Sequence, residues 1–278
     1  MGMIKNLWRG FRGGPDFSEV NPLNASLENI QFSVELPYSN IDTNEPPRSI
    51  HFPIMKDGWF DQHAESLKYY RYVHVDTQMW FYVPSVVNLP SGELGVLTLM
   101  TQIKRIPEEK NISAFDLDSL GKTVISEYED YYNSPIIGWD DNDKDPSLGK
   151  NTKIRRDILE LANSRSEPWS QEFIDREINL RLSDTGYAPL KPHKIKTING
   201  RSWLFYIEQK AVARPAKNRI YCMPLTDKYY LCLDFGYRVD RIDKFKLWKD
   251  HAEAAEKRIM ESVKLTIPND ELALTHQG

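Results

Sequence analysis

Two cysteines in 278 residues are too few for a disulfide framework, and the spacing of Cys222 and Cys232 matches no zinc-ligand pattern. Long apolar runs are also missing: no stretch approaches the roughly 18 residues that a membrane-spanning helix requires. Basic charge is scarce. With 36 Lys and Arg against 40 Asp and Glu, the formal net charge is -4, which is not the electrostatic footprint of a nucleic-acid binder. Nor is there a Gly-x-Ser-x-Gly elbow, a Gly-rich phosphate loop or a His-Glu-x-x-His helix. The opening Met1–Phe11 has no apolar core and no small-residue cleavage site, and Asn6 stands where an N-myristoylation motif wants Ser or Thr. These absences lead us to expect a cytoplasmic protein that engages neither nucleic acid nor membrane.

Partial metal patterns occur but do not close. Asp140–Asp145 resembles the start of a calcium loop, yet Pro146 and Thr152 stand where an EF-hand needs glycine and glutamate. His63-Ala-Glu65 and His251-Ala-Glu253 show the His-x-Glu triplet of zinc deaminases, without the Pro-Cys-x-x-Cys that completes that zinc sphere. No catalytic residue, metal ligand or cofactor is therefore assigned. A site assembled only by the fold would draw on His74 and Asp76, on His193 and on the carboxylates of Asp140–Asp145. That is the alternative reading: a hydrolase-like enzyme working between a sheet and an insertion.

What the chain does hold is aromatic strand sequence, with 14 Tyr, 11 Phe and 7 Trp. Asn199-Gly200 lies between the apolar runs Ile195–Ile198 and Ser202–Ile207, a strong hairpin signal because both turn positions require positive φ. Ile220–Met223 and Tyr229–Phe235 form a second pair. In that pair, register decides whether the cysteines meet. Pairing Pro224 with Tyr229 sends the thiols to opposite faces, whereas pairing Leu225 with Tyr229 sets them across from each other. Two free, buried thiols acting as small hydrophobes are expected. Earlier strands are expected at Ile30–Leu36, Ser49–Ile54, Tyr69–Val75, Met79–Val83 and Gly95–Ile103. A helix over 114–132 carries the stripe Leu117, Leu120, Val124, Tyr128 and Tyr131, and one over 243–263 carries Trp248, Ala252, Ala255, Ile259 and Val263. Shorter helices fit 153–163 and 168–182, the latter with Pro168 in its first turn.

Strands in runs separated by helices predict an α+β fold: an antiparallel sheet of meanders covered by two amphipathic helices, with a helical insertion at 134–192. The expected layout is a loosely ordered arm at 1–27, one domain at 28–267 and a polar tail at 268–278. Trp203, Phe205 and Ile207 share one strand face, with Leu204 and Tyr206 on the other, and Tyr229–Phe235 is likewise apolar on both sides. Such strands are sandwiched, so either a second layer of the chain or a partner covers them. The expected partner is another protein, touched by Trp203, Tyr206 and Tyr230 and by a basic loop carrying Arg214, Lys217 and Arg219. The oligomeric state is left open.

In layout the chain resembles the PsbP-like fold, shared by DcrB-like bacterial proteins. The matching segments are Phe32-Ser-Val-Glu-Leu-Pro37, the mid-chain helix, the late meander and the closing helix running into Ile259–Leu265. The resemblance implies an accessory or binding role, in some members immunity against secreted toxins, and transfers no catalytic residues.

Overall fold

The computed structural model describes residues 13–40, 48–67, 70–83, 93–135, 149–209 and 215–266. Its α+β architecture is built on two sheets. In the smaller one, β1 (Leu23–Leu27) and β2 (Ile30–Val34) form a hairpin, β3 (Arg48–His51) pairs parallel to β1, and β11 (Lys264–Thr266) flanks β2. The larger sheet is antiparallel throughout. Its spatial order is β4 (Ala64–Leu67), β5 (Tyr70–Tyr82), β6 (Gly95–Arg105), β10 (Tyr229–Val239), β9 (Lys217–Pro224), β8 (Arg201–Glu208) and β7 (Lys194–Ile198). The helices are α1 (Trp59–His63), α2 (Leu117–Asn133), α3 (Lys150–Asn163), α4 (Gln171–Thr185) and α5 (Lys249–Ser262).

Alternation along the strands splits the core in two. One side of the large sheet, with Leu97, Leu99, Leu233, Phe235, Trp203 and Tyr221, packs on the small sheet and α5. The opposite side, with Leu204, Tyr206, Ile220, Cys222, Tyr230 and Cys232, packs on α2. The predicted stripes of both helices are buried, on opposite faces of the sheet. Asp116 caps α2 by accepting from the Ser119 amide at 3.1 Å. Ahead of α5, residues Ile242–Leu247 wind as a 3-10 turn, so the helix starts at Lys249 rather than at 243. Ser170 caps α4, and Pro168 stands outside it.

Three expectations are corrected. Part of the arm 1–27 is ordered, because Leu23, Ala25 and Leu27 of β1 are inward-facing core residues. Tyr69–Val75 and Met79–Val83 belong largely to one strand, β5, continued through a bulge between His74 and Asp76. Residues 217–219 are strand, not loop. The hairpin at Asn199 (φ 51) and Gly200 (φ 73) forms as predicted. The second hairpin takes the odd-length register: Leu225 N–H donates to the Tyr229 carbonyl at 2.9 Å, so Cys222 lies opposite Cys232. Both thiols are free and buried, and they hydrogen-bond to each other. Burial pushes the Cys222 thiol up. The bond from Cys222 holds Cys232 below its ordinary range.

Candidate functional site

The three aromatics expected at a partner surface are core residues. Trp203 packs toward the small sheet and α5, and Tyr206 and Tyr230 pack beneath α2. Both faces of their strands are covered by this same chain, which removes the need for an outside layer. The basic loop is corrected as well. Lys217 and Arg219 project from β9 toward α5, where Lys217 Nζ lies 3.6 Å and Arg219 Nη1 3.5 Å from Glu253 Oε1. Arg214 lies outside the described residues.

At the centre of this charged seam is Glu256 of α5, 1% exposed. It accepts from the hydroxyls of Tyr221 and Tyr237, each at 2.5 Å, and Arg219 Nε lies 3.1 Å from its Oε1. Burial and the neighbouring carboxylate push both phenols up. At the mouth, Lys196 Nζ sits 3.3 Å from the Phe205 ring centroid and 3.4 Å from the Tyr221 hydroxyl. Burial, then Arg219, holds its pKa below the lysine range. A cavity of about 500 Å³ opens here, lined by Lys196, Arg219, Tyr221 and Glu256. Each Glu256 oxygen is already engaged by a tyrosine, so this carboxylate acts as a buried hub joining α5 to β9 and β10.

The groups offered for a fold-assembled enzyme site are engaged separately. His74 Nε2 contacts Thr77 Oγ1 at 2.9 Å, Asp76 binds Arg48 at 3.1 Å, and His193 Nε2 meets Asp118 of α2 at 3.2 Å. The His193 ring lies against Gly121, where any Cβ would stand 2.5 Å from it, so this histidine is a packing element of α2. Asp140–Asp145 fall outside the described residues. The two His-x-Glu triplets are also committed: His63 Nδ1 to the Trp59 carbonyl, Glu65 to the Tyr72 hydroxyl, His251 Nδ1 to the Tyr82 hydroxyl, and Glu253 to Lys217 and Arg219.

Among the described residues, the hairpin of α3 and α4 is thinly covered. Its base is fixed. Asn151, 4% exposed, donates to the Tyr187 carbonyl at 2.8 Å and accepts from the Tyr187 amide at 2.9 Å, and the Tyr187 ring stacks on Tyr132 with centroids 3.6 Å apart. Beyond that anchor α4 buries none of its residues. Phe173 and Leu180, one heptad apart and so on one helical stripe, are 39% and 59% exposed. Trp169 meets Phe173 edge to face at 4.6 Å. Arg165 lies 5.6 Å over Trp169 and Arg176 5.9 Å over Phe173. Neither guanidinium is paired with a carboxylate among the described residues. Stacking occupies their faces and leaves the N–H edges available for an acidic group. Sequence periodicity marks this segment as helical but does not show that Phe173 and Leu180 lack a cover while Ile174, Ile178 and Leu182 are half-buried.

No helix among the described residues is long and apolar enough to cross a membrane. Compared with protein-family models and with curated proteins, the chain matches none.

Proposed function

We propose that this chain is a non-enzymatic protein-binding module, a cytoplasmic adaptor, immunity or accessory protein, which engages its partner through the outer face of the α3–α4 hairpin. The observation that carries the reading is α4 itself: a 15-residue helix with no fully buried residue, Ile174, Ile178 and Leu182 only half-buried, that holds Phe173 and Leu180 outward. Aromatic side chains flanked by arginines are the composition of interface centres. Because Arg165 and Arg176 carry no carboxylate of their own, the complementary partner presents acidic groups around an apolar socket. The rigid base at Asn151 and Tyr187 lowers the ordering cost of docking. The layout resemblance to PsbP-like and DcrB-like accessory proteins points in the same direction.

The test is capture by the full-length tagged chain from its source cells, at low and high salt, beside F173D/L180D and R165E/R176E. We expect one stoichiometric protein to be retained by the native chain. F173D/L180D should weaken binding by roughly 30-fold or more, as for a hot-spot truncation. R165E/R176E should slow association most at low ionic strength. All these positions are on the surface, so circular dichroism and Tm should hold. Equal capture by F173D/L180D, or no stoichiometric partner at either salt, would overturn the proposal.

A further inference from the structure

Lys104 is the most unusual charged residue in this fold. It sits on β6 between Tyr72 of β5 and Tyr230 of β10, on the α2 side of the sheet, and is 5% exposed. Its Nζ lies 3.5 Å from the Tyr70 ring centroid. Among the described residues no carboxylate or hydrogen-bond acceptor is paired with that ammonium. A buried charge is ordinarily matched by a counter-charge and hydrogen bonds, because leaving it bare costs several kcal/mol. A ring face supplies part of that stabilisation and none of the directed bonds.

The ammonium borders a cavity of about 360 Å³, whose wall also includes Phe60, Tyr70, Arg105, Glu127 and Tyr230. The rings of Tyr70 and Tyr230 give it apolar walls, whereas Phe60 at its edge is stacked on Tyr229 and covered by Arg105. Its other cations are largely spoken for: Arg105 forks onto Asp61 at 3.0 and 3.2 Å, and Arg71 binds the same carboxylate. Glu108 and Glu109 at the wall disfavour an anion of high charge. Burial pushes the Glu127 carboxyl up to about 7, so near neutral pH it supplies a proton for a carboxyl–carboxylate hydrogen bond. Burial works against the charged Lys104, but the Cys232 thiol and the phenols of Tyr70 and Tyr230 raise its pKa above its ordinary value. The group facing the cavity is thus an ammonium, suited to an ion pair rather than to nucleophilic attack.

We infer that this cavity is a binding site for a small monocarboxylate with a flat apolar body, its carboxylate on Lys104 and its body against Tyr70 and Tyr230. One unpaired cation in a pocket rimmed by acids selects a single negative charge. The aromatic walls select a planar hydrocarbon over a compact inorganic anion. The site is separate from the α3–α4 hairpin and stands independently of any partner protein.

The experiment uses the full chain with sodium benzoate as probe, sodium phosphate as the compact-anion arm and sodium chloride for matched ionic strength. In the native chain benzoate should raise Tm in a saturable way, as linkage requires. In spectra of the chain labelled at lysine 13Cε, one buried lysine resonance should shift along the same curve. The variant K104M exchanges an unmatched ammonium for an apolar chain of similar length, so it should fold, and it should bind benzoate at least ~10-fold more weakly. The lysine spectrum keeps the test valid if K104M fails to fold. Identical benzoate responses in the native chain and K104M, or no saturable lysine shift, would overturn the site. Saturable binding of phosphate in preference to benzoate would overturn the assignment to a flat monocarboxylate.

Discussion

Glu256 joins an α-helix to two strands through the hydroxyls of Tyr221 and Tyr237 and the guanidinium of Arg219. Removing such a group leaves two buried hydroxyls without their acceptor and Arg219, a half-buried cation, with Glu253 alone. Glu256→Ala should therefore cost about 3–5 kcal/mol, the range for breaking a buried ion pair from one side. Glu256→Gln keeps an acceptor but loses the charge, and should fall between Glu256→Ala and the native chain. Urea unfolding monitored by tryptophan fluorescence reads this as a lower midpoint at unchanged slope. A cost under about 1 kcal/mol for Glu256→Ala would show that the hub contributes no more than a surface pair. None of this was legible in sequence. Glu256 borders the stripe of Ala252, Ala255 and Ile259, where a carboxylate reads as solvated. Its partners are strand residues 19 to 37 positions upstream, related to it only by the packing of α5 on β9 and β10. Lys217, Arg219 and Tyr221 alternate on one face of a strand, and that period-2 pattern was the available clue.

Among the elements, the β7–β8 hairpin was the clearest in sequence because its chemistry is local: Asn and Gly tolerate the positive φ that the turn demands. The structure adds a second task. Asn199 Nδ2 donates to the carbonyls of Glu261 and Val263, each at 2.9 Å, satisfying acceptors left open at the end of α5. Two substitutions separate the tasks. Asn199→Gly keeps the turn and loses the cap, at about 1–2 kcal/mol for two hydrogen bonds. Asn199→Ala also strains the backbone and should cost about 1 kcal/mol more. Equal losses in chemical denaturation would mean that the turn carries no strain. The small sheet was largely illegible for the opposite reason. Its strands are three to five residues long, too short for periodicity to speak except where β2 alternates cleanly, and the pairing of β1 with β3 and of β11 with β2 exists only once distant segments meet. The bulge between His74 and Asp76 breaks the alternation of β5, which hid one strand as two.

At the scale of the whole molecule, the large sheet is closed on both sides, and the two thiols report on that closure. Cys222 and Cys232 are both fully buried between the sheet and α2, and they are the only cysteines in the chain. Reaction with a thiol reagent should therefore require the fold to open: both cysteines should label together, at least ~10³-fold more slowly in the native protein than in denaturant. A single fast-reacting thiol would place a local opening at the second hairpin. Two-sided burial was legible in the apolar strands themselves. Which layer supplied it was not, because apolar residues record that they are covered and not by what. The same topology has a consequence during synthesis. The centre of the sheet is the pairing of β6 with β10, and about 120 residues are translated between Arg105 and its partner Tyr229. At ~5–20 residues per second, β6 leaves the ribosome roughly 6–25 s before the strand that covers its edge. For that interval β5 and β6 are a ribbon with an open edge and two apolar faces, while α2, α3 and α4 are made and have no finished sheet to rest on. The chain is thus at greatest risk of joining a neighbouring copy edge to edge while it is being made, and slower growth at lower temperature favours its recovery in soluble form.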